Sequence, residues 1–205
     1  MSLTRATISE AVLRHRCLWP GHDKNYIRYH DEEWGVPIRE DRLLFECLCL
    51  EGQQAGLSWI TVLRKRDRYR ECFFNFEIKK CAQLTDDYID TLLLDQGLIR
   101  SRPKLLSVRQ NARITLEIQS EFGSFHNYIW GFSSESATAI AYKDQSEIPA
   151  ATTTSAQMAA DLKKRGFKFV GSKICYAYMQ AVGIVNDHTT SCFRFKEILR
   201  EMANE

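Results

Sequence analysis

The sequence predicts an all-α fold, and three observations carry that expectation. Apolar residues recur at helical spacing along most of the chain, capping residues punctuate the expected helix starts and stops, and no strong strand alternation occurs. No internal repeat or low-complexity stretch interrupts the pattern. With 205 residues, 44% of them hydrophobic and 26% charged, the chain has an ordinary globular composition and enough length for a substantial core.

Taken in order, Thr7 and Glu10 form the pattern of a capping box for a short leading helix. Asp41 is expected to cap a helix through Leu43, Leu44, Phe45, Leu48 and Leu50, apolar nearly all round as in a central buried helix. Ser58 is expected to cap the next, with Trp59, Ile60 and Leu63 on one face. Thr85 before Asp86 and Asp87, with Gly97 beyond, reads as a short capped helix. Ser101 and Pro103 open a helix that carries Leu105, Val108, Ala112 and Leu116 and ends near Gly123. Residues 124–130 are aromatic-rich and read as a packed helical turn, and the polar residues 131–153 read as a surface connection. Ser155 is expected to cap a helix stopping at Gly166, and after a tight turn a last long helix reaches Gly183.

The net charge is only +2, but two segments are locally basic. Residues 64–70 carry five positive charges against one negative, and residues 161–173 carry Lys163, Lys164, Arg165, Lys168 and Lys173 against Asp161. Either a polyanion is contacted at one face, or these are solvated helix faces. The seven cysteines have no framework spacing, no signal-peptide pattern opens the chain, and no apolar run reaches the length of a membrane span. The expectation is a protein of the reducing cytoplasm with no membrane contact, its cysteines serving as buried apolar groups, metal ligands or nucleophiles. No obligatory protein partner is implied, and a monomer is expected.

Three patterns bear on chemistry. In Lys163-Lys-Arg-Gly-Phe-Lys-Phe-Val-Gly171 a basic helix stops at Gly166, and a second begins near Gly171. The free amides at that helix start, with Lys168 and Lys173 nearby, make an anion site suited to a DNA phosphate; a glycine-capped helical hairpin is the alternative. Cys17 with His30, and His188 with Cys192, supply two thiolates and two imidazoles, a closed tetrahedral set for structural zinc. Spacing alone equally allows buried cysteines and core histidines. Trp19, Tyr26, Tyr29 and Trp34 cluster near the start, and Glu51 lies between an apolar helix and Trp59. Stacked rings and one carboxylate suit a pocket for a flipped base, and indole faces attract a cationic base most. The same residues also suit an aromatic core with a solvated glutamate.

The segments Tyr29-His-Asp-Glu-Glu-Trp-Gly-Val-Pro37, Leu50-Glu-Gly-Gln-Gln-Ala-Gly-Leu-Ser-Trp-Ile-Thr-Val-Leu63, the hairpin segment above and Gly183-Ile-Val-Asn-Asp-His188 closely resemble the bacterial 3-methyladenine DNA glycosylase I family. The resemblance covers roughly residues 16–192. It implies a helix–hairpin–helix glycosylase domain over 16–195, an N-terminal extension at 1–15 and a C-terminal tail at 196–205. It implies one structural zinc on Cys17, His30, His188 and Cys192. It implies a base pocket with Glu51 as the catalytic carboxylate and Tyr29, Trp59, Trp19 and Trp34 around it. By the same resemblance, Gln54, Gly56 and Leu57 fill the gap left by the extruded nucleotide, with Leu57 the apolar wedge, and Gly166, Lys168, Gly171 and Lys173 hold the DNA backbone. Phe169 stands where the family's first hairpin glycine is usual. The implied reaction is hydrolysis of the N-glycosidic bond of 3-methyladenine in alkylated duplex DNA, without strand cleavage. Asp187, beside a ligand position, reads as orienting the metal site. Competing readings are a non-catalytic lesion-binding module, a metallohydrolase, which needs an open metal position, and a homologue with altered base specificity.

Overall fold

The computed structural model describes residues 14–133 and 140–203; among them are eleven α-helices and no strand. They are α1 Lys24–Glu32, α2 Asp41–Gln54, α3 Trp59–Leu63, α4 Arg66–Cys72, α5 Ile78–Ala82, α6 Asp86–Leu92, α7 Arg102–Phe122, α8 Phe125–Trp130, α9 Thr153–Arg165, α10 Ser172–Ala181 and α11 Phe193–Ala203. The all-α expectation holds for the described residues. Thr7 and Glu10 lie outside them.

The apolar run in α2 becomes the hub. Leu44, Phe45, Leu48 and Leu50 are buried, and the helix packs against α3, α7, α8 and α10. Because α2 is enclosed on most sides, its last turn also buries Glu51, Gly52 and Gln53. Glu51 is therefore delivered to the interior by the same helix that organises the core.

Two expected helix signals hold: Thr85 accepts from the Tyr88 amide, and α7 carries Pro103 in its first turn and ends at Gly123. Ser124, which the sequence did not single out as a cap, starts α8 by accepting from the Asn127 amide. Ser58 stands at the N-cap of α3, but its hydroxyl pairs with that of Thr61 at 2.8 Å. Two expected caps are corrected. Asp41 does not cap its own helix, whose N-cap is Glu40. Its carboxylate instead accepts the Phe125 and His126 amides, both at 2.8 Å, and so caps α8. Thr152, not Ser155, caps α9; Ser155 is the reciprocal member of the capping box, its hydroxyl accepting from the Thr152 amide.

Sequence patterning did not anticipate α1, α4, α5 or α11. Most of the segment expected to be a tail, 196–205, lies within α11, where Ile198 is fully buried. After α10 the chain turns at Gly183, which has φ +75°; a Cβ there would stand 2.5 Å from the Pro37 nitrogen. This close crossing brings residues 184–192 against the N-terminal third of the chain. Among the described residues no helix is long and apolar enough to cross a membrane.

Candidate active site and metal cluster

One cavity, of about 280 Å³, opens between α1, the end of α2, α3 and α10. Its lining includes Trp19, Tyr26, Tyr29, Trp34, Glu51 and Trp59. The rings hold one another edge-on or tilted: Trp19 lies 4.8 Å from Tyr26 and 5.1 Å from Trp34 between centroids, and Tyr29 lies 5.5 Å from Trp59. Such mutual contacts fix the walls without filling the space between them. Asp23 starts α1 by accepting the Asn25 and Tyr26 amides, which sets Tyr26, Tyr29 and His30 along that helix.

Glu51 sits in this cavity at 3% exposure, and burial pushes its carboxyl up to about 8. Among the described residues, five buried side-chain polar atoms lack a hydrogen-bond partner, and three of them belong to this cavity: Glu51 Oε2, Trp19 Nε1 and Trp59 Nε1. Buried polar atoms are rarely left unpaired, so three on one cavity make it a candidate site for a ligand whose polar groups can pair with them. A carboxylate facing aromatic walls can accept from a base's N–H groups and stabilise positive charge.

Cys17, His30, His188 and Cys192 are all buried, with ligand atoms within 4.8 Å of one another. Cys192 Sγ is 3.5 Å from His30 Nε2 and 3.6 Å from His188 Nδ1, and Cys17 Sγ is 3.7 Å from His188 Nδ1. Each imidazole has its other nitrogen engaged. His30 Nδ1 meets Asp31 at 2.8 Å, itself held by Arg16, and His188 Nε2 meets the Trp34 carbonyl at 3.1 Å. The Thr189 amide donates to Cys17 Sγ at 3.4 Å. Cys192 brings the Cys17 thiol down to about 7. This is a cluster that can hold a metal ion, with its outer hydrogen bonds already in place.

The family model for methyladenine glycosylase matches residues 19–195. The chain belongs to the methyladenine glycosylase family. It is 47% identical to DNA-3-methyladenine glycosylase 1 of Escherichia coli (strain K12) over 177 residues, 86% of this chain and 95% of that one. A crystal structure of 3-methyladenine DNA glycosylase I superposes with a TM-score of 0.85 at 47% identity, covering 87% of this chain and 98% of that one. The Staphylococcus aureus enzyme, solved to define 3-methyladenine recognition, gives 0.84 at 34% identity over 87% and 95% of the two chains.

In this methyladenine glycosylase the remaining predicted residues fall in two places. Gln54 lines the cavity, while Gly56 and Leu57 project beside it, Leu57 at 43% exposure. Gly166 ends α9 at φ +100°, and Gly171 starts α10 with no side-chain cap. Between them Phe169 adopts φ +57°, so the phenylalanine takes the left-handed geometry itself. The Asn111 amide of α7 clamps this turn, accepting from Lys168 N at 2.9 Å and donating to Lys168 O at 3.2 Å. Lys168 and Lys173 are exposed.

The two basic runs separate. In 64–70 each arginine is committed to a carboxylate: Arg64 to Asp23, Arg66 to Glu33, Arg68 to Asp95 and Arg70 to Glu46. That run is structural. In 161–173 Arg165 pairs with Asp161 and Glu121, but Lys163, Lys164, Lys168 and Lys173 remain on the surface. The cavity also contains Gln145, Ile148, Ala177 and Gln180, which sequence reasoning did not single out. Asp187 does not hydrogen-bond His188; it accepts from Tyr176 and Gln180.

Proposed function

We propose that this chain is a base-excision repair enzyme that hydrolyses the N-glycosidic bond of 3-methyladenine in alkylated duplex DNA, releasing the free base and leaving an abasic site. The observation that carries the reading is Glu51, a buried and unpartnered carboxyl facing a cavity walled by Tyr29, Trp59, Trp19 and Trp34. An N3-alkylated adenine in DNA is cationic, so indole and phenol faces attract it more than they attract normal bases. Glu51 accepts hydrogen bonds from the extruded purine. Entry of the cation draws its carboxyl down from about 8 toward the ionised form.

Water attacks C1′ and gives up one proton to solvent, while the C1′–N9 bond breaks with its electron pair leaving on the base, which departs neutral because alkylation had made it cationic. Little acid catalysis is then required. The positive charge that develops on the sugar is stabilised by the nearby carboxylate. No lysine lines the cavity among the described residues, in keeping with hydrolysis rather than imine chemistry.

The family resemblance supports a helix–hairpin–helix assignment for α9, the 166–171 turn and α10. There the free amides at the start of α10, with Lys168 and Lys173, hold a DNA phosphate. Gln54, Gly56 and Leu57 enter the gap in the duplex, Leu57 as the wedge. The metal is zinc, held by Cys17, His30, His188 and Cys192. Tetrahedral zinc with bonds of about 2.3 Å to sulfur and 2.0 Å to nitrogen sets sulfur–nitrogen edges of about 3.5 Å, and the separations of 3.5–3.7 Å fit that geometry. Four protein ligands leave no open position, so zinc supplies structure and no chemistry. The chain acts as a cytoplasmic monomer.

The test is incubation with methylated duplex DNA and chromatography of the released bases. Wild-type protein is expected to release 3-methyladenine, and Glu51→Gln to lose most of that release while still binding DNA. Excision by Glu51→Gln at the wild-type rate would remove Glu51 from the mechanism. No base release by wild type would leave a DNA-binding module only.

A further inference from the structure

We propose that Gln180 contacts the extruded base through its amide carbonyl, and that Asp187 sets this orientation. The inference rests on the base-pocket reading above and names a further recognition residue within it. Gln180 lies in α10 and lines the cavity, along with Gln145 and Ile148 of the preceding connection. Its Nε2 donates to Asp187 Oδ2 at 2.7 Å. A carboxylate only accepts, so the NH₂ end must face Asp187 and the carbonyl end must face away from it. Among the described residues Gln180 Oε1 has no hydrogen-bond partner, and the cavity that Gln180 lines is open to it.

Asp187 is itself immobilised. It is 4% exposed, and the same Oδ2 also accepts the Tyr176 hydroxyl at 2.5 Å. The chain on either side, Val185, Asn186, His188 and Thr189, is buried too. The metal cluster does not explain this carboxylate, since the His188 ring uses Nε2 on the Trp34 carbonyl and Nδ1 on the cysteines. Its hydrogen-bonded partners are a tyrosine and a cavity-lining amide, the arrangement of a group that holds another side chain in one orientation.

The chemistry follows from what the two walls offer. Glu51 comes from α2 and Gln180 from α10, so a bound purine meets acceptors from two directions. Adenine presents an exocyclic amine where guanine presents O6. A fixed acceptor at Gln180 therefore favours the amine and disfavours the carbonyl, which would leave two acceptors facing each other. Rejection by a mismatched polar group is stronger than rejection by shape alone.

The experiment titrates free 3-methyladenine by tryptophan fluorescence, for which Trp19, Trp34 and Trp59 are reporters inside the cavity. Alongside, release of 3-methyladenine and 3-methylguanine from methylated duplex is compared, with metal content as the check on folding. Gln180→Met is expected to bind the free base about five- to ten-fold more weakly, the cost of one lost hydrogen bond, and to discriminate less between the two methylated purines. Asp187→Asn is expected to weaken binding by a smaller factor. The double variant should be no weaker than Gln180→Met, because Asp187 acts through Gln180. Wild-type affinity in Gln180→Met or fully additive losses in the double variant would each overturn the proposal and leave the base-pocket reading standing. Failure of the wild type both to bind and to excise 3-methyladenine would sink the two together.

Discussion

Glu51 shows how a residue proposed for the site can be costly to the fold. The sequence places it at the end of an apolar helix just before Trp59, which suggested either a pocket carboxylate or a solvated helix end. The structure decides for burial, because α2 is enclosed to its last turn. Burial raises its carboxyl from the ordinary 4.5 to about 8. Between those values the folded chain keeps a proton that the unfolded chain has lost, so the contribution of this group to stability falls as pH rises through that window. Glu51→Gln removes the titration and keeps the shape. It is expected to melt above wild type at pH 8 by about 1 kcal/mol or more, roughly 2–4 °C in Tm, with the difference closing toward pH 5. Thermal melts of both proteins across that range check it; a difference independent of pH would mean that Glu51 is not the buried acid described here.

At the scale of elements, legibility depended on where a side chain finds its partner. Thr85 and Gly123 act within a turn of their own position, and local chemistry announces them. Asp41 and Ser155 look like caps for the same reasons, yet tertiary placement gives Asp41 to α8 and a preceding threonine takes the cap of α9. The run at 64–70 suited either a polyanion contact or a solvated helix face until its carboxylates, from as far away as Asp23 and Asp95, were in place. Lys104 was equally silent. It is 8% exposed in α7, and its ammonium donates to the Gln53 and Ala55 carbonyls, both at 2.7 Å, while Gln53 Nε2 donates back to the Lys104 carbonyl at 2.9 Å. This clamp finishes α2 and sets the exit of the 54–57 segment that carries Leu57. Lys104→Met strands two carbonyls and is expected to destabilise the protein by about 1–3 kcal/mol. Its diagnostic effect is on duplex substrate: excision from methylated duplex falls about ten-fold through weaker extrusion, while affinity for free 3-methyladenine stays at the wild-type level. Equal losses in both assays would place the clamp's influence on the pocket rather than on the segment.

Across the whole molecule the Cys/His cluster and the aromatic cavity are one construction, which spacing in the sequence could not reveal. Cys17 and His188 are 171 positions apart and Cys192 and His30 are 162 apart, yet all four meet. Ligands and cavity walls alternate along the same segments: Cys17 with Trp19, Tyr29 with His30. The Trp19 ring lies 5.3 Å from His30, and the Trp34 ring lies 4.6 Å from His188. Family resemblance pointed to both sets of residues, but only their placement shows that the Cys/His cluster backs the aromatic wall of the cavity. Closing so long a loop constrains the unfolded chain strongly, and binding free energy becomes folding free energy. With Cys17 already near 7, protons begin to compete for the thiolates below neutrality, so metal affinity is expected to fall as pH drops from 7 to 5. Cys192→Ser is expected to lose the single bound zinc by elemental analysis and to lower Tm by several degrees. It should also weaken binding of free 3-methyladenine, because Trp19 and Trp34 lose their backing. Excision in the cold should be reduced but not abolished, since no step of the reaction needs the ion. A folded, zinc-free variant that binds the base normally but cannot excise it would require the metal to act in the chemistry, and the structural assignment would then be wrong.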